Sequence, residues 1–238
     1  VGGILGTVLM LLRLGVLESG MYKNVAQTNV RKGNLAMLFN SKERFKRYLY
    51  CILIGLPFWF VVGILLTQAP EFGFALKAPK PLDAGAAIMY AYIGISVGDI
   101  IAGLLAQRLR SRKKVLYIFN FLSLAMCCVY LSYKGITPNA MNWVAFFIGT
   151  GSGYWANFVT MASEQFGTNL RATVTTSVPN FVRGALIPIT WMYDLLLPKF
   201  NYIKTAYILL FVLIGIAVFA LSRLRDAFDK DLNFVETD

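Results

Sequence analysis

Seven long apolar runs alternate with polar segments along the chain, at approximately Val1–Leu17, Leu49–Thr67, Ala86–Gln107, Val115–Tyr133, Asn142–Ala162, Val174–Leu197 and Ile203–Ser222. A bilayer core about 30 Å thick needs roughly 20 mostly apolar residues in a helix, so each run predicts a transmembrane helix whose ends are good to a few residues. The fold class that follows is all-α, a polytopic transmembrane helix bundle.

The polar segments differ in charge, and that difference orients the bundle. Glu18–Tyr48, Arg108–Lys114, Ser163–Thr173 and the tail after Ser222 carry sixteen of the 23 Lys and Arg residues. The alternate connections carry five, Lys77, Lys80, Lys134, Lys199 and Lys204, while Arg13 and Arg183 lie within spans. Because Lys and Arg stay on the cytoplasmic side during insertion, the rich segments and the C-terminus are expected in the cytoplasm. Val1 then starts outside with a helix already under way and no initiator methionine, which reads as a cut through a larger protein. The division expected is residues 1–17 as the last helix of a missing N-terminal bundle, 18–48 as an interdomain loop, 49–222 as a six-helix bundle and 223–238 as a tail. Six spans split into two triplets, and since three is odd the second triplet enters the membrane inverted. Inverted triplets are a recurrent transporter construction.

Composition narrows the classes. The hydrophobic set makes up 57% of residues and charged residues 15%, too few polar groups to cover a soluble core of this size. A net charge of +11 would suggest a nucleic-acid partner in a soluble protein, but here the positive residues flank apolar runs, and no nucleic acid is expected. Cys51, Cys127 and Cys128 all lie inside apolar runs and read as small core residues. With no histidine in the chain, His-based metal sites, Ser-His-Asp triads and the usual general base are absent. No enzyme, metal or cofactor is expected.

Three motifs carry a family resemblance. Gly98, Asp99, Gly103, Leu105, Ala106 and Arg108, followed by Arg110, Arg112, Lys113 and Lys114, resemble the loop signature of the major facilitator superfamily, with Gln107 where that signature has Asp and Arg110 where it has Gly. Glu164 and Arg171, with six residues between them in Glu-Gln-Phe-Gly-Thr-Asn-Leu-Arg, resemble the Glu-x6-Arg loop of sugar-porter-like members. Leu17-Glu18-Ser19 is similar to the Pro-Glu-Ser motif after their sixth helix, with Leu17 replacing proline. The resemblance implies a C-terminal half: the first span as helix six, the long basic segment as the central loop, and the remaining spans as helices seven to twelve. It also implies a gating network of Gly103, Arg108, Arg112, Glu164 and Arg171 that latches helices on the cytoplasmic side.

Charged groups at mid-bilayer cost about 2.5–3.5 kcal/mol on insertion scales, so those present usually face a cavity or a partner. Asp99 and Arg183 fall at similar depth; they could pair, fix packing, or serve a coupling proton and an anionic substrate respectively. Tyr154, Trp155 and Asn157 suit a small polar ligand, as do Phe58 and Trp59 beside the kinking Pro57. Pro179, Asn180 and Pro188 put two further breaks near Arg183. Gly149, Gly151 and Gly153 read as packing residues.

The function expected is secondary active transport of a small solute, a sugar or an organic acid by resemblance, with protons as a coupling partner. The other partners expected are the lipid bilayer and the missing half, in a multi-pass protein of a bacterial inner membrane. A seven-helix receptor or sensor is the alternative, with the same span count and sidedness.

Overall fold

The computed structural model describes residues 35–226 continuously, together with Gly6, Thr7, Met10, Leu11, Gly33, Phe228 and residues 234–236. Most of the first predicted span, the Leu17-Glu18-Ser19 motif and most of the long basic connection lie outside the described residues. Everything regular that is described is helical.

After a 3-10 turn at Leu35–Leu38 comes α1, Lys42–Phe60, which starts seven residues before the predicted Leu49. Lys42, Arg44, Lys46 and Arg47, at the end of the basic segment, are all helical. Long basic side chains favour helix as well as most residues do, and hydropathy alone does not separate a helix from its membrane-crossing part. Pro57 sits inside α1, and the ladder widens into a π-helical stretch at Val61–Leu66, completing a 25-residue apolar span. The missing proline N–H is thus absorbed without ending the helix. A short helix, α2 at Ala69–Ala75, fills a segment read from sequence only as a connection. Its Phe72 is fully buried against Tyr130, Tyr193 and Tyr202.

Side-chain caps start the next helices. Asp83 accepts from the Gly85 N–H at 2.9 Å at the start of α3, Ala84–Leu109, and Ser111 accepts from the Lys114 N–H at 3.1 Å at the start of α4, Arg112–Ser132. Thr137 does the same for α5, Pro138–Ser152, with Pro138 in the first turn where its missing N–H costs nothing.

The fifth and sixth predicted spans are each divided. α5 stops at Ser152, and α6 runs Trp155–Glu164. α7 covers Thr168–Gly184 with Pro179 inside it, and α8 covers Leu186–Leu196. The prolines therefore produce one break rather than two: Pro188, which cannot donate to the Gly184 carbonyl, coincides with the interruption at Ala185, whereas Pro179 is accommodated. The last helix, α9, is Tyr202–Arg223, capped by Asn201 on the Lys204 N–H at 2.9 Å. Among the described residues, four helices are long and apolar enough to cross a membrane unbroken: α1 with its π extension, α3, α4 and α9.

Packing is closest between α3 and α5. A Cβ on Gly94 would strike the Phe146 carbonyl, one on Gly98 the Thr150 carbonyl, and one on Gly149 the Ala91 carbonyl; one on Gly153 would lie 2.5 Å from the Gly98 Cα. Small residues at such a crossing let backbones touch where lipid supplies no hydrophobic drive between helices. A Cβ on Gly103 of the loop motif would meet open space, so Gly98 is the packing glycine of that motif. Elsewhere α9 packs on α1 and α4, and α1 on α7. The outer surface carries large apolar side chains, including Ile100, Leu104, Trp143, Ile187 and Trp191. An all-helical chain with such a surface satisfies its backbone internally, as lipid requires.

Candidate functional site

Two groups of side chains stand out, one at the basic end of the bundle and one on an aromatic wall formed by α1, α6 and α7.

At the basic end, Arg112 opens α4 and Glu164 closes α6. The Arg112 Nε lies 2.9 Å from both carboxylate oxygens of Glu164. The Asn157 amide completes the contact: its Oδ1 is 3.5 Å from Arg112 Nη1, and its Nδ2 donates to the Arg112 carbonyl at 3.3 Å. Arg171 lies within electrostatic reach of Glu164 and donates to the Phe166 carbonyl at 3.4 Å. The two motifs thus converge, although Glu164 takes its ion pair from the loop motif's Arg112. Asn157, proposed from sequence as a ligand group, belongs to this cluster. Arg108 is exposed in the last turn of α3, where a cation complements the helix dipole. Arg110 adopts a left-handed φ of 47° at the end of α3, the conformation that the family signature's glycine would occupy without strain.

The tail, set apart from sequence as residues 223–238, returns to this end. The Glu236 carboxylate meets Arg47 at 3.1 Å and the buried Arg44 at 3.6 Å. The Glu236 N–H donates to Asn169 Oδ1 at 3.0 Å, Asn169 Nδ2 donates to the Glu236 carbonyl at 3.0 Å, and the Thr168 N–H donates to the Phe234 carbonyl at 2.8 Å. Ser111 is hydrogen-bonded to Asp226. Sequence gave no sign of this docking, because a short polar tail has no periodicity to read. The Asn and Arg partners only become neighbours once α1 and α7 are packed.

On the wall, Phe58 and Trp155 lie 4.6 Å apart between centroids, with Trp59, Tyr154 and Phe158 in edge or tilted contact around them. The Arg183 guanidinium carbon sits 5.2 Å from the Trp59 ring centre. One of its nitrogens is 3.4 Å from Asn180 Oδ1, and the side chain is exposed. Asn180 Nδ2 donates to the Thr176 carbonyl at 2.9 Å. Beside Asn180, an apolar groove of about 610 Å³ runs between α1 and α7, lined by Phe39, Phe45, Tyr48, Leu49, Ile52 and Phe181 among others.

Asp99 and Arg183, weighed as a pair from sequence, are engaged separately. Asp99 Oδ1 accepts from the Ala156 N–H at 3.1 Å, and its carboxylate also faces the Trp155 N–H, so it caps α6 from the neighbouring helix. Tyr154 at that break is buried rather than presented to a cavity.

The sequence profile of the Major Facilitator Superfamily matches residues 1–189. No curated protein and no solved structure matches the chain.

Proposed function

Because the chain belongs to the major facilitator superfamily, a family of membrane transporters for small solutes, we propose that it is a sugar-porter-like member whose described helices form the C-terminal six-helix bundle. On this reading the bundle rocks against an N-terminal partner bundle to carry its solute, a sugar or an organic acid, by alternating access. The family match favours the transporter over the seven-helix receptor.

The observation that carries the finer reading is the contact of Arg112 with Glu164, with Arg171 alongside. It joins the two resembling motifs at one end of three helices, α4, α6 and α7. In water such a pair would contribute little, but Glu164 is only 9% exposed, so separating it strands a carboxylate in a poorly solvated place. A contact of this kind has two settled conditions, made or broken with both groups hydrated, which suits a latch that closes in one state and opens in the other. The basic end is then the cytoplasmic side, and the aromatic wall with Asn180 and Arg183 lines the solute path. Asp99, already holding two backbone N–H groups, acts as a cap; a coupling proton would have to break that cap to reach it.

Gly184 offers the test, since nothing lies within 4 Å of its Cβ position. Cys51 and Cys127 are buried, so Gly184→Cys in a full-length protein carrying Cys128→Ala, with any cysteine outside these 238 residues also replaced, presents one accessible thiol. Alternating access requires that impermeant maleimide reach it from either membrane face, and that Glu164→Gln shift the balance between faces. Labelling from one face only, unmoved by Glu164→Gln, would refute the transporter mechanism.

A further inference from the structure

We infer that the solute is an amphipathic organic anion, a carboxylate or similar oxyanion on an apolar body of about ring size, with its head on Arg183 and its body in the groove between α1 and α7. The inference rests on the transporter reading above and selects the organic acid over the sugar.

Arg183 carries five N–H donors in a planar fork, and among the described residues one contact, to Asn180 Oδ1 at 3.4 Å, is made. The Trp59 ring centre lies 5.2 Å from the guanidinium carbon, within cation–π range, and the Arg183 side chain is exposed. Among the described residues no carboxylate forms an ion pair with it. Asp99, the charge that sequence placed at its depth, is committed to the α6 amides.

Both polar atoms of the neighbouring Asn180 amide are engaged. Asn180 Oδ1 faces Arg183, and Asn180 Nδ2 is turned to Thr176. A second donor, the buried Trp59 Nε1, has no hydrogen-bond partner among the described residues. A sugar hydroxyl is neutral and would leave the guanidinium without a counter-charge. An oxyanion is acceptor only, and a planar carboxylate matches a guanidinium fork with two parallel bonds.

The body of the solute is set by the groove. Its volume of about 610 Å³ is within the range of small-molecule sites, and its walls are Phe39, Phe45, Leu49, Ile52 and Phe181, with Asn180 marking the polar end. Asn180 joins the two halves of the site, since it lines the groove and touches Arg183. A small inorganic anion would leave those rings unused, and a cation would meet Arg183 with like charge.

The test uses three probes of one shape, benzoate, benzyl alcohol and benzylamine, binding to the purified full-length protein. Benzoate should bind about tenfold or more tightly than benzyl alcohol, and benzylamine least. Arg183→Gln should bring benzoate to the level of benzyl alcohol, with Arg183→Lys between, because it keeps charge and loses the fork. Asn180→Asp, which sets a carboxylate beside Arg183 while leaving it in place, should cost benzoate a similar factor and decides the matter if Arg183→Gln fails to fold. Equal binding of benzoate and benzyl alcohol, or benzoate binding unchanged in Arg183→Gln or Asn180→Asp, overturns the inference. If Gly184→Cys is still labelled from both faces, that failure removes the anion and leaves the transporter; one-sided labelling removes both.

Discussion

Gly153–Tyr154 and Ala185 both interrupt a helix near the aromatic wall, and they are built in opposite ways. At the first, α5 presses its glycines onto the backbone of α3, and Asp99 reaches across to hold the freed N–H groups of α6. At the second, the backbone stays close to helical, with φ −66° and ψ −13°, no side chain caps α8, and the neighbouring Gly184 looks onto open space. One interruption is braced from a neighbouring helix, and the other is left to its own chain. The difference teaches where this bundle can bend: a break whose orphan amides are filled by another helix is a fixed joint, whereas one produced by a missing proline N–H keeps slack.

Substitutions can break that contrast. Gly149→Ala should be the most damaging, because its Cβ meets a main-chain carbonyl of α3 that has no rotamer to yield. A loss of about 3 kcal/mol, the upper part of the overpacking range, is expected, read as a lowered melting temperature of the purified protein in detergent. A melting point equal to that of the unaltered protein would show that the seam is loose.

Asp99→Ala comes next, at about 1–2 kcal/mol for loss of a cap with its charge at a helix N-terminus. Asp99→Asn should cost clearly less, since an amide oxygen still accepts. Equal losses would mean that the charge, rather than the acceptor, is what α6 requires.

Gly184→Ala should be the mildest and of opposite sign, a gain of about 0.5–1 kcal/mol from reduced freedom in the unfolded chain. If the slack at Ala185 serves motion, solute flux should fall while the melting temperature rises. Flux and stability rising together would make the second break a passive one.

How far all this could be read in advance depended on the kind of signal. The spans that became α1 with its π extension, α3, α4 and α9 were legible because lipid imposes a length and a hydropathy on each of them, and the interruption near Pro188 was legible because proline removes a donor wherever it stands. α2 was missed: seven residues are too few for an amphipathic period, and its Phe72 is recognisable as core only beside the three tyrosines it meets. The role of Asp99 was missed for a related reason. A carboxylate inside a span announces a partner, but the partner was a pair of main-chain amides, exposed only because α5 ends at Ser152, and side-chain identities do not report that. Arg112 with Glu164 lay halfway between, since both residues stood in resembling motifs while the packing that pairs them did not. Gly103 and Gly98 show the same limit, because spacing marks both and only the facing backbone of α5 selects Gly98.

Helix α6 is ten residues, roughly 15 Å of rod, and both its tips are pinned: Asp99 of α3 at the front, Arg112 of α4 at the back. While both contacts are made, a rod held at two points by one hairpin has no independent hinge axis. Its amides should therefore exchange with heavy water in step with those of α3 and α4 rather than with the nearer turns of α7.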